Sequence, residues 1–168
     1  MDACVSKVRR WLSSGWRAND LRRNKGGEVT ERPTITDLPA GWKFPPGSVE
    51  FSRDAVNQYN AAVGKGGEVA TPDGEIAPAG AVVTLCNGVC LENVVLPPRT
   101  LHIGQDVEIL GAIPIGTTLD VRAEIHSSQE HRGVRIVAID MFASTAFEGV
   151  ERFVGRATLM IPVTDEEA

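Results

Sequence analysis

The hydrophobic positions switch period along the chain, and each switch marks an element. Val49 and Phe51 alternate with polar neighbours. Ser52, a residue type suited to an N-cap, then introduces Val56, Tyr59 and Val63 at helical spacing, with Asp54 in the first turn and Gly64 as a stop. This predicts a short strand and a helix over about 53–63. Gly64 to Pro78 holds four Gly and two Pro and reads as a long loop. Pro78 then opens a stretch in which Ala81, Val82, Leu85, Cys86, Val89 and Cys90 recur at helical spacing, with no charge before Glu92. A helix apolar nearly all round must be buried on nearly every side, which in such a domain means wrapped by a sheet. Four strands follow to do the wrapping. Leu101, Ile103, Val107 and Ile109 alternate with His102, Asp106 and Glu108, and Leu119 to Ile125 alternate with Asp120 to His126. Val134–Ala143 is apolar on both faces apart from Arg135 and Asp140, as a central strand is, and Phe153 to Val163 closes the set. Connectors at 111–116, 127–133 and 145–149 are turn-like, the second short enough for an antiparallel hairpin. The prediction is an α+β domain whose antiparallel sheet is wrapped around one buried apolar helix.

The first third differs in character. Residues 1–32 hold eight Lys/Arg against four acids, whereas the rest of the chain is acidic enough to bring the net charge to −5. Cys4, Val8, Trp11 and Leu12 fall on one helical face, suggesting a helix that packs on the domain or on a neighbour. Residues 24–48 are dense in Pro and Gly, and Trp42 and Phe44 among them suggest a wrap pinned to the domain surface. The expected organisation is a basic extension and wrap over 1–47, then a single domain over 48–164.

Composition narrows the function classes. The chain has 168 residues, 42% hydrophobic and 23% charged, which fits one globular domain able to hold itself together without metals or disulfides. An acidic body lacks the clustered Lys/Arg that phosphate contacts need, so no nucleic acid is expected as partner. The longest apolar stretch, residues 76–91, is too short to span a bilayer, so no membrane span is expected either. Cys86 and Cys90 lie four apart on one apolar helix face with no second Cys/His pair, which suits reduced thiols in a cytoplasmic chain rather than a zinc or redox motif.

Three segments carry a family resemblance. Phe51-Ser-Arg-Asp-Ala-Val-Asn-Gln-Tyr-Asn-Ala-Ala-Val-Gly64 resembles the opening strand and helix of the MaoC-like hydratase/dehydratase family. Ala77-Pro-Ala-Gly80 resembles the start of that family's central helix. Leu101–Glu108 followed by Pro114-Ile-Gly-Thr-Thr-Leu-Asp-Val121 resembles its strand pair and connecting turn. The match covers about residues 48–163 and is nearest to the N-terminal, often non-catalytic dehydratase halves. It implies a hotdog fold, paired with a second hotdog subunit as a homodimer or heterodimer. It also implies a ligand that is an acyl thioester of coenzyme A or acyl-carrier protein, to which water is added or from which it is removed with R stereochemistry.

That chemistry needs a polarised thioester carbonyl and an acid/base pair. The start of the buried helix meets the first need, because its amides and dipole favour a developing oxyanion; the amide of Gly80 or Ala81 is the candidate thioester contact. For the second, the family places Asp and His in a Gly-Asp-x-Asn-Pro-x-His run after the first helix. Here the stretch begins Gly64-Lys-Gly-Gly, with Lys65 where the Asp would stand and no His between 64 and 101. The dyad is missing. The replacement candidates are Asp73, with Glu75 beside it in the loop, and His102, expected on the face opposite Leu101 and Ile103 near Asp106 and Glu108. His126 and His131 read as solvated surface, and Asp140 as a buried acid or as a carboxylate paired with an Arg. Lys65, Arg99 and Arg132 are possible phosphate contacts. No Gly-rich phosphate loop, nicotinamide fingerprint or zinc motif appears, so no bound cofactor or metal is expected.

Two readings lead: a thioester-binding subunit without its own dyad that serves a catalytic partner, and an active (R)-enoyl-CoA hydratase/dehydratase with relocated acid/base groups. A hotdog thioesterase and a scaffolding module that binds protein through the basic head remain as alternatives.

Overall fold

The computed structural model describes residues 32–64, 69–71 and 74–163. The basic helix expected around Cys4–Leu12 lies outside the described residues, as do Lys65 and Asp73.

Strand β1 (Gly47–Glu50) leads into helix α1 (Arg53–Val63). The helix starts where Ser52 accepts a hydrogen bond from the Ala55 amide, and it ends at Gly64 in the left-handed conformation (φ 72°). Strands β2 (Val69–Thr71) and β3 (Gly74–Ile76) form a small antiparallel hairpin where the sequence predicts only loop. Helix α2 (Ala79–Leu91) follows, with Pro78 as N-cap. Strands β4 (Leu101–Ile109), β5 (Thr118–His131), β6 (Val134–Thr145) and β7 (Glu151–Pro162) complete the domain.

The main sheet runs β1-β5-β6-β7-β4, antiparallel throughout, with β6 at its centre as the two-sided apolar pattern predicts. Its inner face presents Val121, Ile125, Ile139, Met141, Phe153, Leu159 and Ile161, all buried. Helix α2 fills the concavity and buries Ala81, Val82, Leu85, Cys86, Val89 and Cys90. Each such Val or Leu contributes about 1.5–3 kcal/mol on burial, so the helix is held by packing rather than by local propensity. The α+β class and the sheet-around-helix arrangement are as the periodicity predicts.

Residues before β1 belong to this core more closely than a surface wrap does. Ile35 is fully buried, and Leu38 and Phe44 are buried with it. Residues 41–44 run along β5, where Phe44 N–H donates to the Ala123 carbonyl at 3.0 Å and Ile125 N–H to the Trp42 carbonyl at 2.8 Å. Trp42 and Phe44 meet edge to face, centroids 4.8 Å apart.

Two departures from the expected strands shift side chains. The β5–β6 hairpin closes on Arg132 and Gly133 alone, both at positive φ, so Ser127–His131 are strand rather than connector. Register breaks interrupt β4 between His102 and Gly104, and β5 between Ile125 and Ser127. Each break advances the side-chain alternation by one position.

Candidate functional site

The two ends of α2 carry different chemistry. At its N-terminus the backbone leaves the β2–β3 hairpin, Ala77 N–H donates to the Ile113 carbonyl, and the helix begins. The Ala81 and Val82 amides already donate to the Pro78 carbonyl, at 2.9 and 3.1 Å. The Gly80 amide has no acceptor among the described residues, so of the two candidate thioester contacts Gly80 is the one with an open donor. Tyr59, on α1, reaches the same point: a Cβ on Gly80 would collide with its hydroxyl. That hydroxyl has no hydrogen-bond partner among the described residues. Sequence reading did not single out Tyr59 for chemistry; the signal was there in a half-buried phenol on the helix face that turns toward α2. Glu75, from β3, is occupied by an ion pair with Arg53.

His102 stands at the other end. The break in β4 turns its side chain toward the helix, so it shares a cavity with Asn87, Cys90 and Leu91 and is separated from Asp106 and Glu108, which stand over the outer face. This corrects the expectation that all three share one face. Cys90 lies ten residues beyond Gly80, about 15 Å along the helix axis. The cavity holds about 110 Å³ and is otherwise walled by apolar side chains of β6 and β7, among them Met141 and Leu159. Burial pushes the thiols of Cys86 and Cys90 up to about 12, with the charge of Cys90 adding at Cys86, so both are protonated at neutral pH.

The outer face holds a second constellation. Arg156 donates from Nε to Asp140 Oδ1 at 2.6 Å and from Nη2 to Oδ2 at 3.0 Å, and His126 Nδ1 sits 2.9 Å from Oδ2. Asp140 is therefore the Arg-paired carboxylate, on the central strand. Hydrogen bonding to Arg156 is the main cause holding its carboxyl below the ordinary value, with the charges of Arg156 and His126 adding to it against the cost of burial. An acid held ionised in this way donates no proton at neutral pH. Sequence spacing had no means to pair His126 with Asp140, because their meeting depends on the β5–β6 register, in which Glu124 stands opposite Asp140.

His131 ends β5 at the exposed hairpin tip. Arg99 precedes β4 and Arg132 closes the β5–β6 hairpin, at the sheet end that α2 reaches with its last turn rather than its first. No group of His, Cys, Asp or Glu among the described residues has metal-binding geometry, and no helix there is long and apolar enough to cross a membrane.

Neither a family model nor a curated protein matches the sequence. Solved structures do match, at low identity. One is described as a monoamine oxidase regulatory protein from Archaeoglobus fulgidus (TM-score 0.65, 14% identity, 79% of this chain and 96% of that one). Another is an (R)-hydratase from Pseudomonas aeruginosa (TM-score 0.59, 18% identity, 76% and 84%). A third is the HadBC (3R)-hydroxyacyl-ACP dehydratase complex from Mycobacterium tuberculosis (TM-score 0.59, 21% identity, 73% and 97%). The chain has the hotdog fold that such hydratases and dehydratases share.

Proposed function

We propose that this chain is an acyl-thioester-binding hotdog subunit that lacks its own acid/base dyad and works beside a catalytic partner. One observation carries the reading. All three histidines of the chain are described, and none stands at the start of α2, where the Gly80 amide is open to a carbonyl oxygen. A thioester bound there would have its carbonyl polarised by Gly80 N–H and the helix dipole, with the Tyr59 hydroxyl as neighbour. The proton shuttle would have to come from elsewhere, since His102 stands in the cavity with Asn87, Cys90 and Leu91, toward the other end of the helix.

The relatives of this fold that carry hydratase and acyl-ACP dehydratase names support the substrate class, an acyl chain on coenzyme A or a carrier protein. The HadBC complex supports the pairing with a second subunit. A partner can dock on the free edge of β4, which displays Leu101, Ile103, Val107 and Ile109 at 52, 52, 43 and 37% exposure. The free thiols Cys86 and Cys90 fit a reducing, cytoplasmic setting.

The test is hydration of short and medium enoyl-CoAs by the purified chain, followed by loss of enoyl-thioester absorbance, with calorimetric binding of the same compounds as control. The expected result is binding without turnover, and loss of binding in Gly80→Val. Full turnover by this chain alone overturns the proposal.

A further inference from the structure

A groove opens on the outer face of the main sheet. It holds about 510 Å³, and half-buried Phe142 and Val154 lie between the Asp140–Arg156 pair and two carboxylates of β4, Asp106 and Glu108. Register places Asp106 beside Arg156 and Glu108 beside Val154, so both carboxylates stand over the same face. The charges are not balanced. Arg156 is committed to Asp140 by two hydrogen bonds, and Asp106 acts on it only through its charge. The side chains of Asp106 and Glu108 make no hydrogen bond or ion pair among the described residues. An apolar floor beside two uncompensated carboxylates suits an occupant that is apolar and basic together, and repels an anionic one.

The chain carries such a segment itself. Residues 1–31 hold seven Lys/Arg against four acids, ahead of an acidic body. Within them Val8, Trp11 and Leu12 have the i, i+3, i+4 spacing of groove-binding helices, and Lys7 and Arg9 border that face. The segment also reaches the groove. Arg32, where the described chain opens, donates to the Glu92 carbonyl, and Pro33 accepts from the Val95 amide. The nineteen residues between Leu12 and Arg32 extend up to about 65 Å, enough to round a domain whose radius of gyration is about 14 Å.

We infer that this groove is the docking site of the chain's own basic segment. Val8, Trp11 and Leu12 lie on Phe142 and Val154, and Lys7 and Arg9 pair with Asp106 and Glu108. The tether favours this occupant over a separate chain. A flexible link gives an effective concentration of about a millimolar, so a small apolar contact and two exposed ion pairs suffice. The groove lies on the face of the sheet opposite α2, so the inference stands apart from the thioester reading.

The experiment places a nitroxide on Cys4 of the full isotope-labelled chain, diluted into excess unlabelled Cys4→Ser chain so that each nitroxide reports on its own molecule. The expected result is broadening of the amide resonances of residues 106–108, 140–142 and 154–156, beyond that of α2. Combined Asp106→Lys and Glu108→Lys should weaken this broadening at least about fivefold. Both positions are exposed, so the variant is expected to fold. Should it not, Lys7→Glu with Arg9→Glu alters only the segment and is expected to give the same loss. Joining the two pairs of substitutions should restore the broadening. No broadening at the groove, broadening centred elsewhere, or broadening that survives both pairs of substitutions overturns the inference. The converse mixture carries the nitroxide on one chain and the isotope on another. Broadening seen only there means that the groove takes the segment of a second copy, and the inference for the chain's own segment fails.

Discussion

The hydroxyl of Tyr59 lies so close to the Cα of Gly80 that no larger residue fits at position 80 without displacing it. Helix α1 and the start of α2 are thus locked by a phenol against a glycine. The helix propensity of Ala over Gly is worth about 1 kcal/mol, whereas forcing a methyl group into a filled space costs about 1–3 kcal/mol. Gly80→Ala is therefore expected to destabilise the chain by about 1 kcal/mol net. In a Tyr59→Phe background the oxygen that the methyl group meets is gone, and the same change should be neutral or stabilising. A double-mutant cycle in denaturant checks this, and additive effects would contradict the contact.

Burial gives the two helix cysteines a measurable signature. With their thiols pushed up to about 12 and their side chains under the sheet, almost no thiolate forms at pH 8. A Cys4→Ser variant, which leaves only Cys86 and Cys90, should react with a chromogenic disulfide reagent only as it unfolds. The rate should then rise with denaturant. Rapid labelling of the native protein would show that α2 is not enclosed as described.

The sequence displays the elements whose signals are local. Ser52 and Gly64 bound α1 at the predicted residues because cap chemistry acts over one helical turn. The burial of α2 is equally legible, since a segment apolar on all sides has only one place to go. The β2–β3 hairpin is not, because three-residue strands in a Gly- and Pro-rich segment carry no periodicity. Nor is the direction of His102, which depends on the irregularity before Gly104. A glycine inside a strand is a recognised sign of such a break, and here it is the one signal that could have turned His102 inward. The meeting of Tyr59 with Gly80, and of Asn87 with Gln105, are tertiary facts between residues too far apart in sequence for any pattern to join.

The outer-face ion pair predicts a pH dependence of stability. The Asp140 carboxyl is held below its ordinary 3.8 in the folded chain, chiefly by its hydrogen bonds to Arg156. Its contribution is therefore complete above the ordinary value, where both states are ionised, and is lost as pH falls through the lower folded value. Asp140→Asn should cost about 1–2 kcal/mol at neutral pH. The gap between variant and wild type should narrow below about pH 4. Urea melts across pH 3–7 measure it, and a gap that widens with acidity would reverse the assignment.

The free edge of β4 sets the last expectation. Among the described residues β4 pairs only with β7, so no described strand meets the backbone groups of its other side, which is flanked by half-exposed Leu, Ile and Val. A long edge of this kind, whose charges are Asp106 and Glu108 and which carries no lysine, can pair with another strand, and lysine is the residue that blunts such an edge most often. Leu101 and Val107 lie on opposite faces of the strand, since Leu101 is registered with Met160 and Val107 with Gly155, so lysine at both guards the edge from either side. With its catalytic partner absent, the purified wild-type chain should pair with itself along this edge and sediment as a dimer at micromolar concentration, and Leu101→Lys with Val107→Lys should sediment as a monomer. Because the two positions are exposed, the doubly substituted chain should keep its thermal midpoint within a few degrees once dimer linkage is allowed for. A monomeric wild-type chain would instead direct the search to a different hotdog subunit as the occupant of this edge, and the same lysines should then abolish that heterodimer.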